Sequence, residues 1–292
     1  MALAITSSSY AGTHAGAYIN AALQSADSLE YMTIRDAVNY KEVINVATGA
    51  SMIVDATCNY TDGGTLTLTE RVLEVDEFQI NQDICRSTMI NDWSYHQEDD
   101  FVAFAMGYVS NYIADQTESN IWNGTGGTGQ ILGLVTATTG AFATASVSTT
   151  GASTFTAANI IAQIQTAVAD LNSKVYMADD LYLYMNKAAY RFYIQAISAL
   201  SAFPFNHMGQ YTPEFEGIKI AVVAGAPANT VTLAKKSNMF FGTSTALTGD
   251  NNPSSVRALD MSDIDGSEAV RLVARWSAGV QVGVGADITY HS

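Results

Sequence analysis

The stretch Asn123-Gly-Thr-Gly-Gly-Thr-Gly-Gln-Ile-Leu-Gly-Leu-Val135 decides how the rest of the chain is read. Gly124, Gly126 and Gly129 satisfy G-x-G-x-x-G, the spacing of a dinucleotide loop. That loop needs a strand entering the glycines and a helix leaving them, so that the pyrophosphate meets a helix N-terminus. Here the order is reversed: Glu98–Trp122 upstream has the pattern of a long helix, and Gln130–Val135 downstream is a short apolar run of strand character. A ribose carboxylate belongs about 20 residues further on, but the first acidic residue after the glycines is Asp170. Gln130 and Ile131 also stand where a P-loop has Lys and Ser/Thr. Gly124, Gly126, Gly127, Gly129 and Gly133 therefore predict a structural turn at a helix end, where φ > 0 or close backbone approach excludes side chains.

Immediately upstream, Glu98, Asp99 and Asp100 crowd the first turn of the helix and suit its positive end. Phe101, Phe104, Ala105, Tyr108 and Tyr112 follow at helical spacing and predict one continuous apolar stripe. From Glu98 to Ile121 such a helix runs about 36 Å, the width of a domain. Before it, Leu66, Leu68 and Val72 alternate with Thr65, Thr67, Thr69 and Arg71, downstream of the turn cluster Thr61-Asp-Gly-Gly64. This predicts a long β-hairpin, Ser51–Tyr60 pairing back on Thr65–Val75, with a Thr-rich face that is not buried in its own subunit. The Ala-rich segment Ala15–Leu29 predicts a weak helix that docks as an arm.

Downstream of the glycines, Thr136–Thr156 is a tract of small polar residues and reads as a loop. A helix–strand rhythm follows: Ala157–Asn172 (helix), Leu181–Met185 (strand), Lys187–Leu200 (helix), an aromatic loop Phe203–Phe215, then strands at Gly217–Val223, Thr230–Ala234 and Met239–Gly242. In the last section Val270, Leu272, Ala274 and Trp276 alternate with Arg271 and Arg275. Ser277-Ala-Gly279 reads as a turn, and Val280 to Ile288 as the strand that returns from it.

Only 14% of the 292 residues are charged, half the usual share, so much of the surface is covered by something other than charge. The net charge of −15 opposes tight nucleic-acid binding and makes any wall near DNA a repelling one. Two cysteines, Cys58 and Cys85, predict no disulfide framework. The N-terminal residues lack the charged and apolar regions of a secretory signal, and the uncharged stretch Ser119–Ala169 is too polar to cross a membrane.

Sites of chemistry are not apparent. His14, His96, His207 and His291 have no metal-ligand spacing, and no G-x-S-x-G elbow is present. Asp260, Asp263 and Asp265 with Gly266 lack the terminal Glu of a calcium loop, and Lys235-Lys236 is too small for a nucleic-acid footprint. No cofactor, metal or catalytic residue is expected. Arg71, Arg271 and Arg275, each on a strand among apolar neighbours, predict pairing with carboxylates within the subunit or across an interface.

Taken in order, these strings resemble the major capsid protein of tailed bacteriophages, the Hong Kong 97 type fold. Leu66-Thr-Leu-Thr-Glu-Arg-Val-Leu73 running toward Cys85 and Trp93 is similar to the return strand of its hairpin, and Trp122–Leu134 to its glycine turn. Phe215-Glu-Gly-Ile-Lys-Ile220 and Val270–Gly279 are similar to an A-domain strand and the closing hairpin. The resemblance implies an α+β fold with an N-terminal arm (1–45), an extended β-hairpin or E-loop (46–80), a P-domain with spine helix and glycine turn (81–156), an α/β A-domain (157–250) and return strands of the P-domain (251–292).

It further implies a non-enzymatic subunit that self-assembles into hexamers and pentamers of an icosahedral head. The head encloses double-stranded DNA without sequence-specific contact, is assembled in the bacterial cytoplasm and has portal and scaffolding proteins as partners. Leu66, Leu68, Arg71, Arg271 and Arg275 are the expected inter-subunit contacts, with Arg71 meeting an acidic residue of a neighbour. Some members crosslink through a hairpin lysine; here no lysine lies between Lys41 and Lys174, so none is expected. The short stretch before the hairpin implies a separate scaffold or none. Two alternatives stand beside this: an encapsulin-type nanocompartment subunit, and an enzyme with a ligand site at the glycine turn.

Overall fold

The computed structural model describes residues 27–36, 38, 40–49, 52–56, 58, 63–85, 98–136, 139–151, 154–199, 214–244 and 256–292. Along the first half run β1 (Thr33–Arg35), β2 (Lys41–Gly49), β3 (Leu66–Glu74), β4 (Asp76–Cys85), the helix α1 (Glu98–Asn123), a single turn α2 (Ala141–Thr144) and β5 (Ser148–Thr150). The second half contains α3 (Ile160–Ala169), β6 (Leu181–Met185), α4 (Lys187–Ala199), β7 (Glu214–Phe215), β8 (Ile218–Val222), β9 (Val231–Lys235) and β10 (Met239–Gly242). It closes with β11 (Val256–Asp260), a short α5 (Ser262–Asp265), β12 (Ala269–Val282) and β13 (Thr289–His291).

Two sheets carry the body. One has the order β1-β10-β12-β11, with β4 also paired to β12; the other has the order β5-β13-β9-β6-β8-β7. The sheets exchange strands: β9 lies in the second and β10, four residues later, in the first, while β13 returns to the second after β12 has crossed the first.

The six-stranded sheet divides two cores. In β6 the side chains of Leu181, Leu183 and Met185 face α3 and α4, where they join Ile160, Ile164, Ala189 and Tyr193. Its Tyr184 points the other way, into a core with Ile121, Trp122, Phe142, Phe241 and Val282. A strand buried on both faces must be apolar throughout, which is why β6 reads as an unbroken Leu-Tyr-Leu-Tyr-Met run.

The long helix is present as expected, but at Tyr112, the described end of the stripe read from the aromatics, the side chain is not on its buried face. Tyr112 is 50% exposed, whereas Ser110, Ile113, Ala114, Thr117, Glu118, Ile121 and Trp122 are buried. That face holds three polar positions, which an apolar stripe cannot reveal; the side chains of Phe101, Phe104, Ala105 and Tyr108 lie outside the described residues. The Ala15–Leu29 helix and the Phe203–Phe215 loop with His207 lie outside them as well, except at their ends.

Three further expectations are corrected. The outgoing hairpin strand is β2, not Ser51–Tyr60: Lys41 pairs with Glu74 and Gly49 with Leu66, and residues 52–56 form no strand. β4, a segment past the hairpin for which no strand of its own is predicted, is a ten-residue strand antiparallel to β12. Ser277-Ala-Gly279 is not a turn, because β12 runs unbroken for 14 residues through it. The glycine is needed there for another reason: a Cβ at Gly279 would lie 2.0 Å from the Glu74 carbonyl oxygen.

Candidate functional site

The β2–β3 hairpin leaves the body at a slot built from two glycines. Gly242 of β10 and Gly279 of β12 are direct partners across the sheet. A Cβ on Gly242 would meet Val75 and Leu73 at 2.9–3.0 Å, so both positions are kept bare for the chain that crosses them between β3 and β4. Leu73, fully buried, packs there with Val38, Val75 and Phe240. The Gln281 Nε2 group donates to the Val72 carbonyl at 2.9 Å and the Val75 amide to the Tyr40 carbonyl at 3.1 Å.

Register assigns the hairpin two faces, because side chains directly opposite share a side. One face carries Ile44, Val46, Thr69, Arg71 and Leu73, and its half nearer the body is partly or fully covered. The other carries Val43, Val72, Ala47, Leu68 and Leu66. All five are exposed, Leu66 to 59% and Leu68 to 69%, and Ile53 in the connecting segment reaches 95%. Leu66 and Leu68 thus stand with Val72 on an outer face that also contains Val43, which sequence reasoning did not single out, and the polar pairs Lys41–Glu74 and Asn45–Glu70.

The three arginines are placed apart. Arg71 turns toward its own body, where Nη1 donates to the Thr144 carbonyl at 2.7 Å; its Nε is buried and meets no acceptor among the described residues. Arg271 forms a two-pronged pair with Asp83, its partner in register on β4, at 2.6 and 2.9 Å. The carboxylate of that pair is therefore supplied within the chain. Donation from Arg271 holds the Asp83 carboxyl below the usual carboxylate range, although both groups are well exposed and the pair adds little to stability. Arg275 is exposed opposite Gln79.

The glycine turn closes the long helix. Leu134 and Val135 donate their amides to the carbonyls of Ile121 and Trp122 at 2.8 and 3.0 Å, which satisfies two of the acceptors that a helix C-terminus leaves open. Between them the chain doubles back on itself. Gly126 donates to Ile131 and Gly133 to Gly124, the Thr125 and Leu132 backbones bridge, and the Gln130 side chain accepts from both the Thr125 amide and its hydroxyl. Gly126 and Gly129 adopt φ of +71° and +77°; at Gly124 and Gly133 a Cβ would strike backbone at 2.2 and 2.6 Å. Gly127 is under neither constraint, with only the Thr125 hydroxyl at 3.4 Å. The amides of Gly126, Gln130 and Gly133 are thereby engaged with carbonyls of the turn and the helix end.

A buried polar knot ties this helix to the incoming chain. Glu118 accepts from the Ser28 amide (2.9 Å), the Ser28 hydroxyl (2.7 Å) and the Gly225 amide (3.0 Å), and the Trp122 indole donates to the same hydroxyl at 2.7 Å. Three donors replace the water this carboxylate loses on burial. Nothing in the sequence marks Glu118, a lone acid on a helix, because its partners lie 90 and 107 residues away. At the far side His291 is 1% exposed, stacked on Phe155 and 2.5 Å from the Gln163 amide oxygen. Asp260 and Asp265, the acids of the calcium-like loop, accept from Ser262 and Ser267 in local turns.

No family model matches the sequence, and no curated protein is similar to it. Solved structures are similar in fold. The capsid of an empty GTA particle superimposes with a TM-score of 0.61 at 12% identity, over 91% of this chain and 89% of that one. The fold is that of phage capsid proteins. A satellite phage P4 procapsid that includes its size-determination protein gives a TM-score of 0.58 at 11% identity, over 94% and 98% of the two chains. A virus-like particle from Pyrococcus furiosus gives 0.56 at 10% identity, over 97% and 100%.

Proposed function

We propose that the chain is the structural subunit of a closed icosahedral phage head. It assembles with copies of itself into pentamers and hexamers around double-stranded DNA and has no catalytic role. The observation that carries this reading is the outer face of the hairpin. A two-stranded ribbon that displays Val43, Val72, Leu68 and Leu66 to solvent is unfavourable in a monomer and is stabilised when a second copy covers it. The near-complete superposition on capsid structures supports the same reading. The net charge of −15 suits an inner wall that lies near DNA without adhering to it. On this reading the chain before β2 is the arm, the β2–β3 hairpin (41–74, where 46–80 was expected) the E-loop, 75–156 and 251–292 the P-domain and 157–250 the A-domain, with portal and scaffolding proteins as further partners in the bacterial cytoplasm.

The test is Leu68→Asp, alone and with Leu66→Ser, followed by electron microscopy and sedimentation. The variants are expected to keep the wild-type circular dichroism and to lose closed particles. Assembly at wild-type yield would remove the hairpin face from the interface. The length match to the Pyrococcus furiosus particle favours a second reading, a nanocompartment shell. Particles carrying a protein cargo and no nucleic acid would select it.

A further inference from the structure

The hairpin is held at two levels, and they differ in what it takes to break them. The inner level is apolar: Leu73 and Val75 lie in the slot of Gly242 and Gly279, packed with Val38 and Phe240. Separating it would expose these side chains and unpair the strands beneath. The outer level adds the half-buried Ile44 and one directional polar contact, Arg71 Nη1 to the Thr144 carbonyl, an oxygen that accepts no backbone hydrogen bond among the described residues. The Nε of the same guanidinium is buried without an acceptor. Opening this level exchanges one charge-assisted hydrogen bond for water and at the same time returns Nε to solvent, so the loss is partly offset. Beyond it Thr48, Thr67, Thr69 and Glu70 are all exposed, while Val46, half-buried, lies beside Gly283 of the body and slides over an apolar surface without a directional bond.

We infer that Arg71 is a releasable latch that sets the angle of the distal hairpin, with the crossing of Leu73–Val75 over the glycine slot as its pivot. With the latch closed, the ribbon points in one direction. With it open, the ribbon swings as a lever while its base stays packed. Arg71 acts here as a positioning residue within a single chain, so the inference does not depend on the shell reading.

The experiment measures the hairpin's direction. Thr67→Cys on the distal ribbon and Lys174→Cys on the body, in a Cys58→Ser and Cys85→Ser background, are spin-labelled, and their distance distribution is recorded by pulsed electron resonance on unassembled full-length subunits. The wild type is expected to give one narrow peak. Arg71→Met keeps an apolar stem of similar length and removes the donor; it is expected to raise the population of displaced distances about tenfold without lowering the unfolding temperature appreciably. Arg71→Lys, which retains a point charge but not the planar fork, should fall between the two. An unchanged distribution in folded Arg71→Met overturns the latch. Should that variant not fold, an unchanged distribution in Arg71→Lys overturns it equally.

Discussion

Replacing Gly279 by alanine should lower the unfolding temperature of this protein by several degrees, and the size of the effect follows from what the new methyl group meets. Its Cβ would sit 2.0 Å from the Glu74 carbonyl oxygen, 2.9 Å from the Glu74 carbonyl carbon and 3.0 Å from the Val75 Cα. All three are backbone atoms, so no rotamer change relieves the overlap. The crossing segment would have to rise by more than an ångström, and Leu73, packed against the same sheet, would rise with it. Overpacking of a core costs about 1–3 kcal/mol, and a backbone obstacle places this site near the upper end. For a chain of this size each kcal/mol lowers the midpoint by roughly 2–3 °C, giving a fall of about 6–9 °C. Differential scanning calorimetry at one protein concentration and in one assembly state measures it, since self-association also shifts the midpoint. Gly127→Ala is the internal control: with no backbone within contact distance it should unfold at the wild-type temperature or slightly above. A Gly279→Ala protein that unfolds within about 1 °C of the wild type would show that the crossing yields freely and that the glycine slot does not fix the hairpin base.

Other consequences are as direct. Glu118→Ala leaves the Ser28 amide and hydroxyl and the Gly225 amide without their acceptor, and urea denaturation should report a loss of about 3 kcal/mol; a loss below about 1 kcal/mol would mean that water enters and replaces the carboxylate. Burial holds the His291 imidazole below its ordinary value of 6.5, with the Asp170 charge opposing. The unfolded chain therefore takes up the proton first. Stability from this site is complete above about pH 6.5 and is lost as the pH falls from there through the lowered folded value. Thermal midpoints across that window should drop more steeply for the wild type than for His291→Gln, and parallel curves would refute it.

How much of this was legible in the sequence can be argued from particular elements. The strands Leu181–Met185 and Met239–Gly242 fall where the residue pattern placed them, because an apolar run between turn residues is a local signal. The hairpin was misplaced on its outgoing side because Ser51–Tyr60 abuts the turn cluster and Lys41–Gly49 does not. The observed partners are instead joined by a long connection from Gly49 to Leu66. At Ser277-Ala-Gly279 a glycine signalled a turn by composition, while its reason is a neighbour about 200 residues earlier in the chain. The spine's length was readable from its pattern. Its orientation was not, because Glu118 and Thr117 are buried by partners that no local window contains. The glycine run signals a turn by composition, but only the geometry separates Gly124 and Gly133, bare for backbone approach, from Gly126 and Gly129, bare for their φ.

The exchange of strands between the sheets bears on the order in which this protein can be made. In the six-stranded sheet β5 pairs in parallel with β13, and β13 with β9. Residues 148–150 therefore have no strand to lie against until residues 289–291 have left the ribosome, almost half a chain later. A nascent subunit can pack α3 and α4 on β6, β8 and β9 early, but its sheet stays open at that edge until β13 has emerged. Pairings this distant in sequence are slow to form, and here they make β13 the piece that closes the edge of the body from which the hairpin projects.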